Sequence, residues 1–243
     1  MRERRHLGGR MGSGSMLSAA VVALVAVNLL NNWLVPRAYV LTCVATAGLL
    51  LLLARRDGSS WSDLGLGSRS LSPGLRWSAA LAALALAGVA VATTLPAARP
   101  AFADARATGL SGAAMLWHAL VRVPLGTALL EEVAFRGVLY AMLTQRYGTW
   151  AAFAGSSLLF GLWHVLPSLG LRKANAAVAS LVGPGPSGTV VAVLAAVVGT
   201  ALAGVALCEL RRRSGSLLPP FALHWSFNSL GLVFAWLMAG GRG

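Results

Sequence analysis

The stretch LLEEVAFRGVLY, residues 129–140, sets greasy side chains on both sides of two adjacent glutamates, Glu131 and Glu132, and of Arg136. It lies inside a longer apolar run at 112–143. A bilayer core of about 30 Å takes about 20 apolar residues to cross as a helix. Within it every backbone N–H and C=O must be bonded internally, which leaves only helices or closed barrels. The run lacks the period-two alternation of a strand, so it reads as helix. It is longer than one straight crossing requires, and Pro124 is expected to break or kink it into two helical pieces.

The rest of the chain repeats that character. Of 243 residues, 57% are hydrophobic and 11% charged, against about 25% charged in a soluble domain. Apolar segments fall at 17–35, 38–54, 74–95, 112–143, 149–166, 189–209 and 215–239. The expected fold is all-α, a polytopic transmembrane bundle of about seven to eight helices. Residues 1–16 form a basic N-terminal tail and 17–240 a single membrane-embedded domain. The start, MRERRHLGGR and an apolar run, resembles a signal sequence. No small-residue cleavage site ends it, so 17–35 reads as a retained first span. Residues 174–182 suggest a short re-entrant or interfacial helix, and GPGPSG at 183–188 a breaker before the next one.

The net charge of +13 invites a nucleic-acid reading, but the arginines sit at the ends of apolar runs. They cluster at Arg2, Arg4, Arg5 and Arg10, at Arg55, Arg56, Arg69 and Arg76, and at Arg211, Arg212 and Arg213. That is the positive-inside pattern, with anionic lipid of the bilayer rather than nucleic acid as counter-charge. It puts the N-terminus, 55–76, Arg146 and 211–213 on the cytoplasmic side of the plasma membrane, and Pro36–Arg37, 96–108 and 167–188 outside. Cys43 and Cys208 lie in or beside apolar runs, which argues against a disulfide or a metal cluster.

A charge at the bilayer centre costs about 2.5–3.5 kcal/mol on insertion scales, so Glu131, Glu132 and Arg136 must pair or face a wet cavity. Glu132 and Arg136 are four residues apart with the acid first, the favourable order for an ion pair. Glu131 is turned about 100° away. It is left as the carboxylate free to take a proton.

Of four histidines, His6 belongs to the basic tail and His118 reads as a helix-helix contact. His164 ends an apolar run before Pro167, and His224 shares a helical face with Asn228. If these helices converge, a carboxylate and an imidazole can activate a water, while an imidazole and a carboxamide can stabilise an oxyanion. That is equipment for hydrolysing an amide bond in a membrane.

Three motifs now stand in order: EEVAFR (131–136), FGLWH (160–164) and HWSFN (224–228). In these, and in SWSDLGLG (60–67), the chain resembles the CPBP intramembrane endopeptidases, which include CAAX prenyl proteases and Abi-type bacteriocin-immunity proteins. The resemblance covers about 60–235. It implies that Glu131 and His164 activate the water, His224 and Asn228 form the oxyanion hole, and Glu132 and Arg136 support the site. The substrate would be a membrane-associated peptide or protein, met in a cavity opening towards the cytoplasmic leaflet or the lipid. Such proteins are commonly labelled metalloproteases, and Glu131, His164 and His224 are acceptable zinc ligands. No H-E-x-x-H is present, however, and a glutamate-activated water needs no metal.

Two rivals remain. GPSG (185–188) fits a rhomboid-type G-x-S-G, which would make Ser187 and His224 a nucleophile and base. Alternatively, the polar residues could build a non-catalytic membrane scaffold or an immunity protein. The hydrolytic reading requires Glu131 to face His164 and His224 rather than acyl chains.

Overall fold

The computed structural model describes residues 13–241; residues 1–12 of the expected tail, His6 among them, lie outside the described residues. The protein is a helical bundle, and among the described residues six helices are long and apolar enough to cross a membrane. They are α1 (Gly14–Leu34), α2 (Pro36–Arg56), α3 (Ser68–Thr94), α4 (Gly112–Tyr147), α6 (Gly185–Ser214) and α7 (Leu218–Met238). Between α4 and α6 lies the shorter α5 (Thr149–Trp163).

The count is six spans rather than seven or eight because α5 stops early. Its 15 residues make about 22 Å of helix, short of the hydrocarbon thickness. It ends where His164 takes φ −83° and ψ 0°, and a separate turn, Val165–Ser168, follows. The short helix expected near 174–182 forms as Ala176–Val182, with the Asn175 side chain accepting from the Val178 N–H at 3.0 Å.

α4 is one continuous helix, not two pieces. Pro124 has no N–H to donate, and an α-helix would leave the missing bond as a kink. Here His118–Ala128 widens instead to i→i+5 bonding, as does Glu132–Leu139. Inserted wide turns absorb a proline and recur at functional sites.

α4 is also the axis of the core. Leu130, Ala134, Phe135, Val138 and Leu139 are buried against Leu24, Val27, Ala47 and Leu50 of α1 and α2 and Phe160 of α5. α5 packs against α6 through missing side chains: a Cβ on Gly161 would lie 2.6 Å from the Val197 carbonyl oxygen. Small residues allow this backbone approach where the hydrophobic effect gives no help between helices in lipid.

One end of the bundle is sealed by the 57–67 loop. Asp57 pairs with Arg146 at 2.7 Å, Arg211 donates to the Asp63 carbonyl at 2.7 Å, and the Leu217 N–H donates to the Gly65 carbonyl at 2.9 Å. The arginine-rich ends of α2, α4 and α6 therefore gather at one end. At the other, the 95–111 segment meets the far end of α7, where Trp236 Nε1 donates to the Leu110 carbonyl at 2.8 Å and Phe102 stands edge-on to Phe234. Both cysteines are buried free thiols.

Candidate active site

α4, α5 and α7 each deliver polar groups to one point. Glu131, Glu132 and Arg136 are buried, Arg136 completely so. Glu132 Oε1 accepts from Arg136 Nη1 at 3.1 Å and faces His224 Nδ1 at 2.7 Å. The Arg136 guanidinium lies 3.9 Å from the centroid of the Phe160 ring. Glu132 and Arg136 thus make an ion pair whose cation rests on an aromatic face and whose anion reaches α7.

Glu131 points elsewhere. Its Oε1 accepts from Trp163 Nε1 at 3.0 Å. Its Oε2 lies 3.9 Å from His164 Nε2 and 3.8 Å from His224 Nε2, and has no hydrogen-bond partner among the described residues. The two imidazoles are fixed from behind. His164 Nδ1 lies 2.8 Å from the Phe160 carbonyl. A carbonyl only accepts, so Nδ1 carries the proton and Nε2 presents its lone pair in the neutral ring. His224 Nδ1 likewise meets a carboxylate, leaving its Nε2 towards Glu131. A buried carboxylate oxygen without a donor is costly. A water between Oε2 and either Nε2 would be within hydrogen-bond reach of both atoms.

The break at His164 serves this geometry. Its N–H bonds back to the Gly161 carbonyl at 3.0 Å, tightening the last turn of α5 and setting the ring over Glu131. The Phe160 ring lies edge-on to both His164 and His224, with centroids 4.8 and 6.1 Å away. Asn228, one turn along α7 from His224, is exposed on the wall of a cavity that Glu131, Trp163 and His164 also line.

That cavity has a volume of about 780 Å³ and runs from Glu131, Trp163 and His164 past Thr127, Arg122 and His118 to Asp104, Arg106 and Asn175. It therefore runs to the end formed by 95–111 and 164–184. Towards the arginine-rich end, Leu64 and Leu217 are buried.

The zinc ligand set fits poorly. Ligands 2.0–2.1 Å from a tetrahedral zinc lie about 3.3 Å from one another. The Nε2–Oε2 separations of 3.8 and 3.9 Å are wider, and one carboxylate oxygen already holds an indole N–H. Among the described residues no group of three His, Cys, Asp or Glu is disposed to hold a metal ion.

The Ser187–His224 pairing does not form. Ser187 is exposed in the first turn of α6, while His224 lies near the start of α7, beside the other end of α6. The stretch from Ser187 to Ser214 is about 40 Å of helix. Both nitrogens of His224 are turned to glutamates.

Sequence reasoning passed over Trp163 and Phe160, although both lie in the FGLWH motif, because an aromatic residue in an apolar helix carries no signal of its role. It also passed over Asn28, whose Nδ2 donates to the Trp163 carbonyl at 2.9 Å and braces the residue that braces Glu131.

The family model described as Type II CAAX prenyl endopeptidase Rce1-like matches residues 112–230, a span that holds all three motifs. No curated protein and no solved structure matches the chain.

Proposed function

We propose that this chain, which belongs to the CAAX-protease family of intramembrane endopeptidases, hydrolyses a peptide bond of a membrane-associated substrate with a water held by Glu131 and His164. The observation that carries the reading is the unpartnered Oε2 of Glu131, aimed at the Nε2 atoms of His164 and His224. Glu131 takes a proton from the water while His164 Nε2 holds it in line. The hydroxide oxygen bonds to the scissile carbonyl carbon, and the carbonyl oxygen becomes an oxyanion. The Asn228 carboxamide and the protonated His224 donate to it. The proton on Glu131 then passes to the amide nitrogen as the C–N bond breaks, giving a carboxylate and an amine.

Glu132 and Arg136 act at one remove. The Glu132 carboxylate holds the His224 ring through Nδ1, and Arg136 balances the charge of a site with two glutamates. The protein would work in the plasma membrane with its N-terminus and arginine-rich ends in the cytoplasm, as the charge pattern favours.

A peptidomic comparison of membranes from cells carrying wild-type protein and Glu131→Gln tests the reading. Peptides or unprocessed proteins that accumulate only with Glu131→Gln support it and identify the substrate. Identical peptidomes, with both proteins at equal abundance, reject hydrolysis and favour a scaffold or immunity role.

A further inference from the structure

Arg122 stands in α4 with a cost and no visible return. It lies within a membrane-length helix, and the described residues give its guanidinium no carboxylate and no hydrogen bond. Arg106, the other arginine lining the cavity, is already held by Asp104 at 2.6 Å. An intramembrane cation without a partner marks a functional site.

Its setting is built rather than incidental. The guanidinium lies 4.6 Å from the centroid of the Tyr39 ring. Tyr39 is itself pinned, its hydroxyl 3.0 Å from Thr127 Oγ1 and its ring against Gly126, where a Cβ would approach the ring to 2.6 Å. The stacked guanidinium keeps its N–H edges free for a second partner.

The wide turns of α4 decide where those edges point. With i→i+5 bonding a turn takes about 4.4 residues. His118, Arg122, Thr127 and Glu131 then share one side of the helix, and all four line the cavity. At about 100° per residue Arg122 and Glu131 would lie on opposite sides. The same cavity thus holds an unpaired guanidinium and, two wide turns away, the carboxylate that faces both histidines.

We infer that Arg122 is an anion subsite of the cavity, and that it binds a carboxylate of the peptide substrate so that cleavage falls at a fixed spacing from that group. The inference rests on the proteolytic reading above. Arg is suited to a carboxylate because its planar fork makes two charge-assisted hydrogen bonds at once. The carboxylate is either the peptide's C-terminus or an acidic side chain.

The test uses a library of N-acylated decapeptides made in four pools: free acid or amide at the C-terminus, each with and without Asp and Glu. Retention is measured on detergent-solubilised Glu131→Gln protein and on the Glu131→Gln, Arg122→Gln double variant, and cleavage on wild type. The expected result is that carboxylate-bearing pools are retained about ten- to hundred-fold better by the single variant, and that Arg122→Gln abolishes the preference. Arg122→Lys should restore part of it. A preference for free acids over amides identifies the C-terminus; a preference that follows Asp and Glu identifies the side chain. Equal retention of all pools, or a preference that survives Arg122→Gln, overturns the subsite. Retention that depends on Arg122 without cleavage by wild type would leave the subsite standing and reject the protease.

Discussion

Glu132 Oε1 sits 2.7 Å from Nδ1 of His224, a residue 92 positions away on another helix, while still holding Arg136. One oxygen therefore ties the central helix to the last and turns the His224 ring so that its other nitrogen meets Glu131. The site is a buried charge cluster and, under the proposed hydrolysis, also a set of catalytic groups, and the two roles separate by experiment.

Breaking the buried pair from one side leaves an uncompensated charge, whereas removing both leaves none. Glu132→Leu should lower stability in detergent by about 3–5 kcal/mol, and Arg136→Met should act similarly. The double variant Glu132→Leu, Arg136→Met should regain most of the loss while remaining inactive. Thermal unfolding midpoints of the four proteins check this; a double variant as unstable as the sum of the singles would show that the pair is not the unit.

Trp163 orients Glu131 through a single N–H. Trp163→Phe keeps the aromatic packing and removes that donor. Turnover should fall by about tenfold, the worth of one hydrogen bond to a charged group, with the unfolding midpoint nearly unchanged. An unaltered turnover would assign Trp163 to packing alone.

Gly161 lets α5 touch α6. A methyl group there meets backbone, the Val197 carbonyl oxygen, so the helices must part. Gly161→Ala should cost about 1–3 kcal/mol of stability. Because His164 hangs on the end of α5, activity should fall further than the stability loss accounts for. Paired thermal and activity assays measure both.

The wide Nε2–Oε2 separations predict a hydrolysis that needs no bound zinc. Activity should survive prolonged treatment with a strong chelator and gain nothing from added zinc. Loss on chelation with recovery on zinc would mean that His164, His224 and Glu131 close on a metal.

What was legible in the sequence was chemistry and spacing, not helix pitch. The helical bundle followed from apolar run lengths, and the Glu132–Arg136 pair from four-residue spacing. The convergence of Glu131, His164 and His224 entered as a condition of the hydrolytic reading, one that the cost of leaving such groups in hydrocarbon favoured. The count of spans came out high because a run of apolar residues does not announce where a helix stops, and α5 ends at His164 inside its run. Arg122 escaped notice for a different reason. Read at 3.6 residues per turn it faces away from Glu131, and only the wide turns around Pro124 bring the two to one wall. Trp163 acts through its indole N–H, and Asn28 through side-chain bonds to the Trp163 carbonyl and Asn32 Nδ2, which no pattern of hydrophobicity encodes.

The most direct measurement is peptide hydrolysis in water enriched in oxygen-18, using protein reconstituted in vesicles with the N-acylated decapeptide pools, for wild type and Glu131→Gln. The account predicts that wild type releases products whose new carboxylate carries one heavy oxygen, and that Glu131→Gln slows release by at least about a hundredfold while remaining folded. Products formed at the wild-type rate by Glu131→Gln would contradict it.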